Sequence, residues 1–205
     1  MRVIDSSFND YCQWLSQEYL NICTGLDVLE IGPGPGHHSQ LIINNNPRYF
    51  EVIEPNIELS SVLKNIPGIN SVINRDATVV LSESRKFDLV VCFGVLYHLH
   101  NPLHLLELIV NNCDPEYIML DCVMDPKNLY FQEELINEPG CLFVEPGWKS
   151  SGCVLHTVPY DIVNLSLKNM GYNLVKSNML NVTDNFTKCN SWLALWTKND
   201  STNNF

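Results

Sequence analysis

Five short apolar runs, each followed by a stretch of helical spacing, set the order of this 205-residue chain. The runs are Val28 to Ile31, Arg48 to Pro55, Ser71 to Asn74, Lys86 to Gly94 and Tyr117 to Val123. Parallel strands need a crossover between them, and a helix is the usual one. Repeated strand–helix alternation therefore calls for a parallel sheet with helices on both faces. The run "KFDLVVCFG" is almost continuously apolar, as a central strand buried on both faces must be. Helices are expected from about Phe8 to Asn21, where Phe8, Tyr11, Leu15 and Tyr19 fall on one face, and from His37 to Asn45. Others follow over "NIELSSVLKNI", from Pro102 to about Cys113, and from Pro159 to the stop at Gly171. The final helix is followed by two strands, near Tyr172 to Leu180 and Ser191 to Thr197, which breaks the alternation and predicts an antiparallel hairpin at the edge. The expected fold is α/β: a doubly wound, mostly parallel, seven-stranded sheet.

One domain is expected over residues 1–198, with a disordered polar tail over 199–205. Residues 124–158 show no clean period and form an insert or a lid. Tyr130, Glu133, Glu134, Trp148 and His156 in that insert are candidates for contact with a second ligand, without an assigned chemistry.

Twelve Lys and Arg stand against 23 Asp and Glu, a formal charge of -11, which argues against a nucleic-acid partner. The eight cysteines contain no CxxC pair, and several sit in apolar runs where a thiol is a small hydrophobe. The start "MRVIDSSFNDYCQWL" has no apolar signal core and no stretch approaches a membrane span. A reducing cytoplasmic setting, away from membranes, is the expectation.

The loop in "VLEIGPGPGHHS" places Gly32, Gly34 and Gly36 at every second position. Such a loop loses much backbone entropy on ordering, so a ligand approaching the backbone closely is the natural reason for it. In parallel sheets the ligand lies beyond the carboxyl ends of the strands, so this loop is well placed. A dinucleotide fingerprint, G-x-G-x-x-G, would need glycine where His37 stands, and no Gly-Lys-Ser/Thr follows for a P-loop. A nucleoside without phosphates fits better. Glu54, ending the next strand about twenty residues on, is placed to accept both hydroxyls of a ribose.

The series "VLEIGPGPG", "VIEP", "RDA" and "FDLVVCFGVLYHL", in that order, resembles the class I S-adenosylmethionine-dependent methyltransferases, over roughly Val28 to Val123. The resemblance implies a Rossmann-like sheet and S-adenosylmethionine as cofactor. It implies that Glu30 holds the methionyl end while Gly32, Gly34 and Gly36 let the backbone pass under the methionine and ribose. Glu54 would take the ribose hydroxyls, Asp76 and Ala77 the adenine, and Phe93 and Gly94 would supply backbone contacts. No metal is implied: His98, His100 and His104 have no carboxylate or cysteine to complete a set.

For the methyl acceptor, the chain lacks the Asn/Asp-Pro-Pro-aromatic motif of amino-group enzymes acting on bases. It also lacks the Pro-Cys nucleophile of cytosine C5 enzymes. "GVLYHLHNP" resembles most the branch of tRNA wobble-uridine carboxymethyl- and methyltransferases and their small-molecule relatives. Without the tRNA enzymes' N-terminal extension and with a net negative charge, a small-molecule acceptor, sugar-like or otherwise, methylated on oxygen or nitrogen, is the expectation. His98 is the candidate base, with Tyr97 beside it; packing at the start of the next helix is the other reading of His98. Two alternatives stand beside this: a non-catalytic module binding the same cofactor or its demethylated product, and an RNA-modifying enzyme that borrows a basic surface from a partner. The oligomeric state is not in the sequence.

Overall fold

A computed structural model describes residues 2–123, 158–183 and 188–199, with side chains over 10–123, 158–181 and 191–199. The insert residues Tyr130, Glu133, Glu134, Trp148 and His156, and the tail from 200 on, lie outside the described residues.

The elements in chain order are β1 (Arg2–Ser7), α1 (Phe8–Glu18), β2 (Asp27–Ile31), α2 (His37–Asn44), β3 (Tyr49–Ile53) and α3 (Ile57–Leu63). Then come β4 (Ser71–Ile73), α4 (Ala77–Val80), β5 (Leu89–Phe93), α5 (Pro102–Leu108), β6 (Tyr117–Val123), α6 (Tyr160–Asn169), β7 (Tyr172–Thr183) and β8 (Lys188–Lys198). The strands form one sheet in the order β1-β7-β8-β6-β5-β2-β3-β4. All pairings are parallel except those of β8, which runs antiparallel between β6 and β7.

The seven expected strands are therefore present in an α/β sheet of the expected kind, with an eighth, β1, added outside them. The C-terminal hairpin sits one strand in from the edge, because β1 pairs in parallel with the far half of β7, Arg2 opposite Asn178 through Ser7 opposite Thr183. The helix expected to run to Cys113 is α-helical only to Leu108; a π-helical turn over Ile109–Cys113 follows, closed by Asp114 in the left-handed region at φ 49°.

Alternation along each strand divides the core in two. On one face Leu29, Ile31, Val90, Cys92, Ile118 and Leu120 pack with residues of α5, α6 and β8, among them Trp192 and Trp196. On the other, Val28, Val52, Val91, Phe93 and Met119 pack against Tyr11, Leu15, Ile42 and Leu63 of α1, α2 and α3. Both tryptophans are fully buried and each indole N–H is satisfied, by the Val158 carbonyl at 3.2 Å and by Asn164 Oδ1 at 3.0 Å.

Charge is distributed by end. Arg48 pairs with Asp27 at 2.8 Å and Asp88 at 3.0 Å, where β2, β3 and β5 begin. Asp114, just before β6, receives both Lys86 and Lys198. Such exposed pairs add little stability, but they hold these cations at the amino ends of the strands. At the carboxyl ends, where a ligand binds in this architecture, the described side chains include the acids Glu30, Glu54 and Asp76 and one cation, Arg75.

Candidate functional site

The glycine loop leaves β2 and enters α2, and Gly36 stands at the N-cap of that helix. Gly32 and Gly34 both have left-handed backbones, at φ +66° and +57°, which disfavour any side chain. Their surroundings differ. A Cβ on Gly32 would lie 2.4 Å from Val95 Cγ2, so this position is closed by the chain itself. A Cβ on Gly34 would meet nothing within 4 Å. The space over Gly34 is open, as a cradle for a ligand must be.

Glu54 is buried and holds the loop in place: Oε2 accepts from the Gly34 N–H at 3.1 Å and Oε1 from the Asn56 N–H at 2.9 Å. Burial pushes its carboxyl above the usual range, and the two backbone N–H donors pull it back. Each oxygen keeps a lone pair, enough for two hydroxyl donors on adjacent carbons. Glu30, on β2, is fully buried and accepts a hydrogen bond from Ser39 Oγ on α2 at 2.5 Å. Burial raises its carboxyl to about 7, against the Ser39 bond and with the Glu54 charge adding to the rise. The structure thus brings Glu30, Gly34 and Glu54 to one place at the carboxyl ends of β2 and β3.

Asp76 stands apart as an exposed N-cap of α4, its Oδ1 accepting from the Thr78 N–H at 2.8 Å and the Thr78 hydroxyl at 2.5 Å. Ala77 is the first residue of that four-residue helix. Phe93 ends β5 and is buried; Gly94 follows, its N–H donating to the Asp121 carbonyl at 3.2 Å. A Cβ on Gly94 would sit 3.5 Å from the Tyr97 hydroxyl oxygen, so Tyr97 closes over the end of β5. Tyr97 and His98 belong to the single turn Leu96–His98, with ring centroids 4.3 Å apart. Burial pushes the His98 imidazole down to about 4. It is neutral at physiological pH.

Three groups were not found from sequence. His38, on α2, lies edge-on to Phe93 with ring centroids 5.1 Å apart, and burial pushes it down to about 4. Asp121 stands in register beside Phe93 on β6, with Ser191 of β8 as its hydrogen-bond partner. Its carboxyl is raised to about 7 by burial. The signal for Asp121 was present, as the one acid inside "YIMLDCV". His38 and Ser39 carried none beyond their nearness to the glycine loop. Among the described residues, no group of three or more His, Cys, Asp or Glu is arranged to hold a metal ion.

Comparison with known proteins accords with this geometry. A family model described as "Methyltransferase domain" matches residues 7–144. The chain is 26% identical over 122 residues to a tRNA U34 carboxymethyltransferase of Nautilia profundicola, covering 55% of this chain and 39% of that protein. It therefore spans about two-fifths of that relative's length. Among solved structures it resembles an S-adenosylmethionine-dependent methyltransferase described as putative, from Listeria monocytogenes, at a TM-score of 0.68 and 12% identity, covering 93% of this chain and 100% of that one. It also resembles the magnesium protoporphyrin IX methyltransferase of Synechocystis PCC 6803, solved with S-adenosylmethionine bound, at 0.60 and 13%, covering 93% and 77%. At such identities these likenesses speak for the fold alone. The open glycine cradle, the buried acids beside it and the matched family model lead to one conclusion: this chain belongs to the methyltransferase domain family, whose cofactor is S-adenosylmethionine.

Proposed function

We propose that this methyltransferase acts on an oxygen or nitrogen of a small molecule. The observation that carries the reading is the placement of charge. Of the basic residues with described side chains, only Arg75 flanks the carboxyl ends of the strands, and it faces Glu83 at 4.0 Å. A polyanionic acceptor would need several cations at that mouth. The net charge of -11 points the same way.

In this reading Glu30 faces the methionyl end of the cofactor, Gly32, Gly34 and Gly36 form the floor, and Glu54 takes the ribose hydroxyls. Asp76 and Ala77 bound the adenine, and Phe93 and Gly94 offer backbone groups. When bound, the cofactor supplies a methyl group on a cationic sulfur, and the acids Glu30 and Glu54 suit that charge. The chain's task is then mainly alignment and exclusion of water. His98, neutral through burial, accepts a hydrogen bond from the acceptor's nucleophile and orients it beside Tyr97. An imidazole this weakly basic orients a nucleophile better than it removes its proton.

No helix among the described residues is long and apolar enough to cross a membrane. The buried thiols of Cys23, Cys92 and Cys113 support a cytoplasmic setting for the reaction.

A second reading, methylation of tRNA with a basic partner, draws on the likeness to the Nautilia profundicola protein and on the "GVLYH" turn after β5. The two separate in one experiment. The protein is incubated with S-adenosylmethionine carrying a labelled methyl group, alongside either the small-molecule extract or the total tRNA of its own cells. Label in the small-molecule fraction supports the first reading. Label confined to tRNA replaces it with the second.

A further inference from the structure

The cofactor set leaves Asp121 unused, and nothing in the fold explains why a carboxylate stands there. It is nine-tenths buried near the end of β6, and its carboxyl has the neutral Ser191 as hydrogen-bond partner, while the Gly94 N–H is given to its backbone carbonyl. No described lysine or arginine forms an ion pair with it. A buried carboxyl without a cation is expensive to keep unless it serves a ligand. Its neighbour in register is Phe93, and against the Phe93 ring lies His38, whose Nε2 is buried without a hydrogen-bond partner. A buried nitrogen left unpaired costs the fold stability, so this too is a place where a ligand atom would relieve a deficit. Asp121, Phe93 and Glu30 lie on one face of the sheet, with Glu30 on β2 and Asp121 on β6, on opposite sides of β5.

We infer that Asp121 is the acceptor-docking carboxylate and that it selects a primary or secondary amine, so that the reaction is an N-methylation. This rests on the small-molecule reading above and narrows it. A carboxylate accepts hydrogen bonds only, so the group it holds must bring N–H or O–H donors, and beside a carboxyl that no described lysine or arginine pairs with, a group able to carry positive charge is favoured over a neutral hydroxyl. A carboxylate acceptor would be repelled. Phe93, in register beside Asp121 and edge-on to His38, gives the bound amine an aromatic face. In the transfer, the nitrogen lone pair forms the new N–C bond, and the electron pair of the broken S–C bond stays on sulfur. The surplus proton on nitrogen passes to the Asp121 carboxylate, whose affinity for protons, close to neutrality, suits it to receive and release it.

The test uses the whole chain, S-adenosylmethionine with a labelled methyl group, and the small-molecule extract of its own cells. Half of the extract is first treated with an N-hydroxysuccinimide acetate ester, which acylates primary and secondary amines. Labelling is expected to fall by at least about tenfold on acylation. In untreated extract it falls by about a hundredfold in Asp121→Asn, the range for losing a general base. S-adenosylhomocysteine affinity, measured by calorimetry, stays within about twofold in that variant, since Asp121 is outside the cofactor set. Labelling that survives acylation overturns the inference and leaves the small-molecule reading standing; so does equal labelling by Asp121→Asn. Label found only in RNA, or in no fraction, overturns both. The acylation arm needs no variant, so its result does not depend on Asp121→Asn folding.

Discussion

Glu54 engages both carboxylate oxygens with its own chain before any ligand arrives, at the Gly34 and Asn56 N–H groups. In the proposed site its role is double, shaping the loop and facing the ligand. Glu54→Ala is expected to lower S-adenosylhomocysteine affinity by at least about tenfold, the scale of one or two hydrogen bonds to a charged group, with the chain still folded. Unchanged affinity by calorimetry would remove Glu54 from the site. Gly32 and Gly34 separate fold from function. A side chain at either costs about 1–2 kcal/mol in the left-handed region, but only at Gly32 does it also strike Val95. Gly32→Ala should therefore lose more stability to urea than Gly34→Ala. Gly34→Val should weaken cofactor binding because its side chain enters the open cradle. Wild-type affinity in Gly34→Val would show that the cradle is not where the cofactor lies. For His98, His98→Ala is expected to reduce turnover far more than cofactor affinity. Equal turnover in the two proteins would return His98 to a packing role.

Among the elements, α4 exists because Asp76 caps it, and four residues are too few to show a helical period in sequence. Asp76→Ala should cost about 1 kcal/mol in chemical denaturation while Asp76→Asn, which caps equally well, should be close to neutral. A loss shared by both variants would mean that charge, not capping, fixes this turn. The same scale explains what could be read beforehand. The strands from Val28 to Val123 announced themselves because each is apolar and bounded by its own glycine, proline or acid. Glu30, Gly34 and Glu54 were legible because the chain order of a parallel sheet fixes which strand ends meet. β1 was not, for its partner β7 lies at the far end of the chain and no local turn links them. The partnership of Asp121 with Ser191 depends on β8 running antiparallel against β6, a register that no local pattern encodes. The contact of His38 with Phe93 arises where α2 crosses β5, again a matter of packing and not of spacing.

Across the whole molecule, the buried titratable groups pull stability in opposite directions with pH. The Glu30 carboxyl is raised from 4.5 to about 7, so the folded state holds its proton more tightly than the unfolded one. Its contribution is complete below pH 4.5 and is lost as pH rises through 7. His38 is lowered from 6.5 to about 4, so its contribution is present above 6.5 and is lost as pH falls through 4. Glu30→Gln should remove the alkaline loss alone. The drop in melting temperature between about pH 5 and about pH 8 should be smaller in the variant than in the wild type, by an amount on the order of a few kcal/mol in stability. An identical drop in both proteins would show that Glu30 is ionised in the folded chain at neutral pH.

The place of β8 in the sheet bears on how the molecule is made. After β1, synthesis delivers β2, β3, β4, β5 and β6, and these five can pair among themselves in parallel. β7 then emerges with no partner of its own in that group, and β1 has waited beside the ribosome since the start. Only when the stretch from Lys188 to Lys198 is released can the two parts of the sheet join, with Trp192 and Trp196 filling the face of the core left open until then. A ribosome that stops before Lys188 releases a five-stranded sheet with an apolar edge exposed, a substrate for chaperones and proteases and not a working enzyme.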